Sequence, residues 1–520
     1  MPEPAGHAAP ASWLIAVTVM LPTFMEVLDT SVANVALPHI AGNLSASTDE
    51  STWVLTSYLI SNATVLPATA WLGGLFGRKR FFLACIVVFT LASALAGAAP
   101  SLGALTVARV LQGAGGGALQ PISQAILFES FPPERRGSAM AVFGVGVVAA
   151  PILGPTLGGW ITDNFTWRWI FYINLPVGAA AVLMVRTFIE DPPYVRQRAP
   201  RRVDWAGLGL LALWLGAFQI MLDRGQQEDW FDSTLIRALA LLTVAGLVAF
   251  LVREWTTADP IVDLRVLRDR NFAAGVALIT VVGFVLYATV ALLPLFLQTL
   301  LNYPALQSGY ATSPRGLGAI VGMLVAGRLV GRVDTRWLIA TGFGLLALSV
   351  HLLGNLTLDV TIASVGWPQV LSGLALGFIF VPLSTTSLGT LPKQEIGNAT
   401  GIYNLMRNVG GSMGISVVTT LLARRAQAHQ VFLAQHVSPY DAEAAQRLRE
   451  MESLLAPRVG AQAAPQAAQA ALYAMVVRQA MLLAFVDNFR LMAVLVLCCV
   501  PLVWVLRRAS PSTTEPVAAH

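Results

Sequence analysis

Residues 142–160, VFGVGVVAAPILGPTLGGW, limit what this chain can become more than any other stretch. Five glycines, two prolines and no charge in nineteen residues make a poor helix in water. There an interior glycine costs roughly 1 kcal/mol and an interior proline roughly 3 relative to alanine. A bilayer reverses the argument. Gly146, Ala150, Gly154 and Gly158 fall four apart and draw a smooth stripe along one helix face, which lets a second helix approach backbone to backbone. Pro151 and Pro155 are expected to bend the rod, and neighbouring helices can satisfy the carbonyls that prolines free. The plain alternative is a tightly packed membrane helix with no further role.

Composition agrees with the membrane. The chain is 56% hydrophobic and 12% charged, against about 25% charged in soluble domains, and its mean hydropathy is +0.66. The net charge of +5 does not indicate nucleic acid, because the basic residues sit in short clusters between apolar runs and are better read as topology signals. Cys85, Cys498 and Cys499 all lie in apolar runs, so neither a disulfide framework nor a zinc site is expected. The first twelve residues lack a basic run and a cleavage site, so the first apolar segment is expected to stay in the membrane.

Stretches of about 20 apolar residues, long enough to span, occur near 13–38, 52–73, 81–99, 103–128, 138–161, 169–189, 205–222, 234–252, 271–299, 306–329, 337–355, 366–390, 398–422 and 485–506, fourteen in all. Alternate connections carry the arginines and lysines: Arg78-Lys79-Arg80, Arg135-Arg136, Arg196 to Arg202, Arg265 to Arg270, Arg332 with Arg336, Lys393, and Arg507-Arg508. The opposite side holds almost none, Arg168 and Arg224 excepted. The positive-inside rule then places both termini in the cytoplasm. Trp53, Trp167, Trp230, Trp337 and Trp367 stand at span ends, where interfacial anchors belong.

An internal repeat appears at an offset of 260. Val110-Leu111-x-Gly113-x3-Gly117 recurs as Val370-Leu371-x-Gly373-x3-Gly377, and Pro132, Gly137, Ala139 and Gly154 recur as Pro392, Gly397, Ala399 and Gly414. Spans 1–6 (13–190) and 9–14 (271–506) therefore read as two related six-helix bundles, with an inserted pair at 203–253 and short tails at 1–12 and 507–520. Two parallel halves with a site between them are a transporter build. The one long connection, 423–484, is expected on the external side, with an amphipathic helix at 441–455 that puts Leu448, Met451 and Leu455 on one face. A second helix at 466–484 is expected to lead into the last span.

Ionisable groups inside spans are costly and are functional candidates by default. Span 1 carries Glu26 and Asp29, three apart and so on one face, and span 4 carries Arg109. At 1.5 Å per residue Asp29 lies about 13 Å from the outer end and Arg109 about 10 Å, within reach of each other. Burial disfavours a charged carboxylate and a neighbouring arginine favours it; a group balanced between the two can load a proton outside and release it inside. The competing role for Asp29 is a structural ion pair. Arg315 and Arg407 are open between structural roles and substrate contact, and His39 and His351 read as incidental. Neither G-x4-GK[ST] nor H-E-x-x-H occurs, so ATP hydrolysis and zinc proteolysis are not indicated and no cofactor is expected.

The spacing G-x-G-x4-P-x2-G-P-x2-GG from Gly144 to Gly159 resembles the antiporter motif of drug:proton exporters in the major facilitator superfamily. With LDTSVANVALP (28–38), RVLQGAGGG (109–117), WRWIFYINLP (167–176) and IMLDRGQQEDWF (220–231), nearly the whole chain resembles the fourteen-span drug:proton antiporters of the EmrB/QacA type. The resemblance implies an all-α major facilitator fold in a bacterial inner membrane, exporting hydrophobic or amphipathic small molecules on the proton gradient. It also implies a periplasmic adaptor (membrane fusion) protein and an outer-membrane channel as partners. By it Asp29, with Glu26 and Arg109, is the proton-coupling set. Gly144, Gly146, Pro151, Gly154, Pro155, Gly158 and Gly159 form the motif that keeps exchange obligatory. Gln112, Gln120, Tyr287, Phe380, Tyr403, Asn404 and Arg407 are candidates for the substrate cavity between the bundles. In the loop between spans 2 and 3, GGLFGRKR (73–80) keeps Gly73, Gly77 and Arg78, which recur as Gly327, Gly331 and Arg332, but lacks the aspartate common in the family. The inner gate is thus expected to close without that carboxylate. Rival readings are a same-fold exporter of one metabolite (fatty acid, aromatic acid or siderophore), an importer or uniporter, and a non-transporting scaffold that uses 423–484 to bind a partner.

Overall fold

The structure, a computed structural model, describes residues 8–191, 204–435, 437 and 442–507. The side chains of residues 8–11, Thr48, Asp49, Pro155, Ala305 and Leu306 lie outside the described set, as do most of both expected tails and the connection at 192–203. The helices are α1 (Ala8–Asn43), α2 (Thr48–Ser51), α3 (Trp53–Phe76), α4 (Arg78–Ala98), α5 (Leu102–Gly116), α6 (Leu119–Ser130), α7 (Arg136–Asn164), α8 (Trp169–Tyr172) and α9 (Asn174–Phe188). Then come α10 (Trp205–Arg224), α11 (Thr234–Thr256), α12 (Arg270–Thr299), α13 (Ala305–Thr312), α14 (Pro314–Leu329), α15 (Thr335–Leu353), α16 (Ile362–Gly389), α17 (Lys393–Ala434), α18 (Ala442–Val459) and α19 (Ala464–Val503). Short polar residues start many of them by capping free N–H groups. Ser101 caps α5, Asp269 caps α12 and Thr361 caps α16.

Among the described residues eleven helices are long and apolar enough to cross a membrane. Three expected spans stand outside that number. The span near 103–128 is two helices, α5 and α6, parted after a run of three glycines. The span near 306–329 is α13 and α14, parted at Ser313, where Pro314 lacks the N–H that would continue the ladder. The span near 398–422 lies inside the 42-residue α17.

Glycine sets how closely the helices pack, and the repeat is visible in it. A Cβ at Gly113 would strike the Tyr58 carbonyl, and one at Gly373 would strike the Arg315 carbonyl, so α5 lies on α3 as α16 lies on α14. Gly77 and Gly331 end the second helix of each half at φ +85° and +88°, a left-handed turn that glycine adopts without steric cost. Between the halves α7 lies on α14, with Gly137 against Val330 and Gly316 against Ile152, and α17 lies on α3, with Gly401 against Leu66 and Pro67.

The inserted pair, α10 and α11, touches both halves. Thr56 Oγ1 donates to Asp223 Oδ2 at 2.7 Å, Ser412 Oγ to Gln219 Oε1 at 2.8 Å, and Trp230 Nε1 to Thr420 Oγ1 at 3.0 Å. At the other end of the pair Asp204 caps α10 and accepts from Arg253, whose guanidinium holds that carboxyl below its ordinary range.

Two expectations need correcting. Trp167 is buried at 3% exposure rather than interfacial, its ring edge-on to Phe171. In the connection 423–484 the helices expected at 441–455 and 466–484 correspond to α18 (Ala442–Val459) and α19; what differs is that α17 runs on to Ala434 and that the helix leading into the last span is continuous with it as the 40-residue α19. At 1.5 Å per residue α17 and α19 are about 60 Å long, twice a hydrocarbon core of about 30 Å. No residue of α18 is fully buried, and α18 packs against α19. Replacement of Gly373 by valine should lower stability by about 1–3 kcal/mol, because the added atoms meet backbone. Thermal unfolding in detergent, followed by tryptophan fluorescence, checks this.

Candidate functional site

The polar centre of the first half is built on α1. Asp29 is 2% exposed and accepts from Arg109 Nη1 at 2.5 Å, Asn174 Nδ2 at 2.7 Å and Gln112 Nε2 at 2.8 Å. Arg109 is fully buried; its Nε donates to the Val54 carbonyl at 3.0 Å and its guanidinium lies 4.2 Å over the Tyr58 ring. Asn174 also donates to Ser93 Oγ at 3.0 Å. Three helices, α1, α5 and α9, thus meet on one carboxylate, and α3 joins them through Arg109. The similar depths of Asp29 and Arg109 pointed to the pair. Asn174 and Ser93 were not singled out, although Asn174 sits inside the WRWIFYINLP stretch.

Glu26, one turn away, belongs to a second network that crosses between the halves. Its Oε1 accepts from Tyr58 Oη at 3.0 Å and Asn62 Nδ2 at 3.2 Å. Its Oε2 accepts from Gln120 Nε2 at 2.7 Å, and Gln120 Oε1 accepts from Arg407 Nη2 at 2.6 Å. The Glu26 charge is therefore tied through one amide to an arginine of the other half. Asn404, one turn from Arg407, donates to Gln124 Oε1 at 2.7 Å. Tyr58 stands between the two networks, its ring under Arg109 and its hydroxyl on Glu26.

The 144–159 segment lies on α7 and backs onto α1. Cβ atoms at Gly146, Gly154 and Gly158 would meet Met20, Ser31 and Val32, and Ala150 is fully buried. Pro155 brings no N–H, which leaves the Pro151 carbonyl without its helical donor, and Ser31 Oγ donates to that carbonyl at 3.3 Å. Gly144 faces the other half, against Met323 and Phe380, while Gly159 has open space. The helix that bears Glu26 and Asp29 is thus seated along the glycine stripe.

The expected cavity residues are not gathered around one chamber. Gln112 belongs to the Asp29 network and Gln120 and Arg407 to the Glu26 network. Tyr403 and Asn404 are fully buried. Phe380 stacks on Phe143 across the halves at 6.3 Å between ring centres. Tyr287 is 37% exposed, its ring against Gly411 of α17. At the loop of residues 73–80, Arg78 pairs with Glu129 at the end of α6 at 2.9 Å. Asp191 accepts the Lys79 backbone N–H at 2.7 Å. Carboxylates from elsewhere in the chain therefore meet this loop, and the sequence reading found neither. A small cavity of about 50 Å³ opens beside it, lined by Thr69, Gly73, Arg78, Pro121, Gln394 and Gly397 among others. Among the described residues no group of three or more His, Cys, Asp or Glu is placed to hold a metal ion.

The family model described as Major Facilitator Superfamily matches residues 19–415. The chain belongs to the Major Facilitator Superfamily. It is 40% identical to Multidrug export protein EmrB of Haemophilus influenzae over 82% of this chain and 84% of that one. It is also 40% identical to Fatty acid resistance protein FarB of Neisseria gonorrhoeae, over 85% and 87%, and 36% identical to Multidrug export protein EmrB of Escherichia coli K12, over 85% and 86%. Among solved structures the human organic anion transporter MFSD10 has a TM-score of 0.61 at 14% identity, covering 95% of this chain and all of that one. The proton:xylose symporter XylE has a TM-score of 0.58 at 13% identity, covering 95% and 97%. At such identities these two show the fold alone.

Removing one member of a buried ion pair leaves an uncompensated charge, a loss of about 3–5 kcal/mol. Arg109→Leu should therefore destabilise by about that amount, and adding Asp29→Leu should recover most of it. Unfolding curves for both single variants and the double variant test this; additive losses would show that the two do not act as a pair.

Proposed function

We propose that this chain is a proton-coupled antiporter that exports hydrophobic or amphipathic small molecules, a multidrug exporter of the bacterial inner membrane. The observation that carries the reading is the buried Asp29–Arg109 pair, with Gln112 and Asn174 closing the remaining sides of the carboxylate. A charged pair at this depth costs several kcal/mol of desolvation, and a proton that moves on and off Asp29 gives the cost a purpose. Glu26 is the second proton-coupling group, joined to the substrate side through Gln120 and Arg407. The 144–159 stripe holds α1 against α7, so that a change of charge on α1 is felt by the helix that also faces the other half. Two relatives named as multidrug export proteins support the cargo class. The relative named for fatty acid resistance supports a narrower exporter, which fits less well beside them.

In this reading the chain crosses the membrane fourteen times, with both termini in the cytoplasm. The two bundles are 13–190 and 271–506, the inserted pair is 203–253, and the driving force is the proton gradient. The helical projection of 423–484 stands outside the membrane and meets a periplasmic adaptor that continues to an outer-membrane channel. Its support is the length of α17 and α19 beyond any bilayer, together with the exposure of α18.

Two experiments test the proposal. In inverted vesicles holding the purified protein and a pH-sensitive dye, some members of a panel of amphipathic compounds should trigger proton efflux. Asp29→Asn should reduce that flux by an order of magnitude or more while the protein stays folded, and equal flux from the variant would sink the assignment. Deleting 442–459 should leave export in vesicles intact yet abolish resistance in cells. Loss of both would mean that the projection serves folding instead.

A further inference from the structure

Among the described residues of 271–506 the buried charged side chains are Arg315 and Arg407, both cationic, with no buried carboxylate beside them. Arg407 is joined to Glu26 through Gln120. Arg315 is left. It is 8% exposed, and its Nε and Nη2 have no hydrogen-bond partner among the described residues. Gln369 Nε2 and Ser372 Oγ, on the helix packed against it, are buried and equally without partners. An arginine stays charged at any physiological pH, and an uncompensated buried charge is among the most expensive features a fold can keep.

The place is defined by packing. The Arg315 carbonyl lies where a Cβ of Gly373 would be, so this turn of α14 rests on the Gln369–Gly373 turn of α16. Gln369 and Phe380 are eleven residues apart and share a face of α16 to within roughly 20°, and Phe380 stacks on Phe143 of the other half. Gly316, next to Arg315, abuts Ile152. The unpartnered donors therefore stand in the second half, beside the 142–160 segment and close to the plane where the halves meet.

The repeat supplies an independent argument. Gly373 rests on Arg315 as Gly113 rests on Tyr58. At the offset of 260, Gln369 and Ser372 stand where Arg109 and Gln112 stand in the first half, and Thr289 stands where Asp29 does. Thr289 Oγ1 is spent on the Val285 carbonyl at 2.7 Å. In the first half the polar centre contains its own carboxylate. In the second the corresponding centre holds donors and a fixed positive charge, with no buried carboxylate among the described residues of that half.

We propose that Arg315, with Gln369 Nε2 and Ser372 Oγ, is a subsite for the anionic headgroup of an amphipathic substrate, a carboxylate or sulfonate whose apolar body lies toward Phe143 and Phe380. The substrate role rests on the exporter reading above; the binding site itself does not. A guanidinium offers a planar fork that two oxygens of such a headgroup match, and an amide N–H and a hydroxyl complete the set.

Binding of pyrenebutyrate and of its neutral counterpart pyrenebutanol, followed by pyrene fluorescence on full-length protein in phosphatidylcholine nanodiscs, tests it. The wild type should bind the anion roughly tenfold or more tightly than the alcohol. Arg315→Gln should lose that preference, and Arg315→Lys should keep part of it. The double variant Gln369→Leu/Ser372→Ala, which spares the arginine, should weaken the preference and serves if Arg315→Gln does not fold. No preference in the wild type, or equal losses for both probes in Arg315→Gln, would overturn the site. Abolition of the preference by added phosphatidylglycerol would assign the site to lipid and overturn the substrate reading. Gradient-driven efflux of pyrenebutanol in proteoliposomes reports on the exporter reading separately. Efflux without anion preference removes the subsite alone, and anion preference without any efflux removes the exporter alone.

Discussion

A charge in hydrocarbon has to bring its counter-charge with it, and the organisation of the first half follows from how Asp29 meets that demand. Its carboxylate is closed by Arg109, Gln112 and Asn174, so α1, α5 and α9 cannot separate without exposing a charge to lipid or to one another's apolar faces. Tyr58 adds α3 to the group, since its ring lies under the same guanidinium. The hydroxyl of that tyrosine reaches Glu26, and from Glu26 a single glutamine leads to Arg407 in the other half. A charge change at the centre of the first half is thereby adjacent to a contact that ties the halves together.

Close helix approach is what makes so polar a centre possible. Lipid tails offer no hydrophobic drive between helices, so the gain comes from contact over small residues. The stripe from Gly146 to Gly158 seats α1, and Gly113 and Gly373 seat corresponding helices in the two halves. On that shared scaffold the two centres have diverged. The first holds a carboxylate and an arginine, whereas the second, built at corresponding positions, holds an arginine, an amide and a hydroxyl without an anion.

Much of this was legible in the sequence, and the limits of that legibility have a common cause. Asp29 and Arg109 could be paired because each span has one direction and a fixed rise, so depth follows from counting residues. The glycine stripe was legible because a period of four on a helix is a line. The Glu26–Gln120–Arg407 line was not, since Gln120 and Arg407 lie 287 residues apart and meet only once the halves dock. The loop at 73–80 carries the same lesson. The family resemblance marked the aspartate that the loop lacks, while the carboxylates that do meet it, Glu129 and Asp191, come from the ends of other elements. In the long connection the helices expected at 441–455 and 466–484 are there, while the run of α17 on to Ala434 and the unbroken join of α19 to the last span were not foreseen, because an alanine- and glutamine-rich composition does not mark where a helix stops.

By itself the sequence determined that the chain lives in a membrane and which few residues are placed to hold charge inside, and its repeat pointed to two copies of one helical plan with a pair inserted. Those are consequences of local quantities: hydropathy over about twenty residues, the helical period, and the spacing of glycines. The tertiary structure alone decided which charges are compensated, because compensation depends on distances between side chains from different helices. It brought Asn174 to the Asp29 carboxylate beside Arg109, tied Glu26 to Arg407 through Gln120, and left Arg315 Nε and Nη2 without a partner among the described residues. Lipid tails offer no hydrogen-bond partner, so a guanidinium that the neighbouring helices leave unsatisfied is where an anionic group is best received.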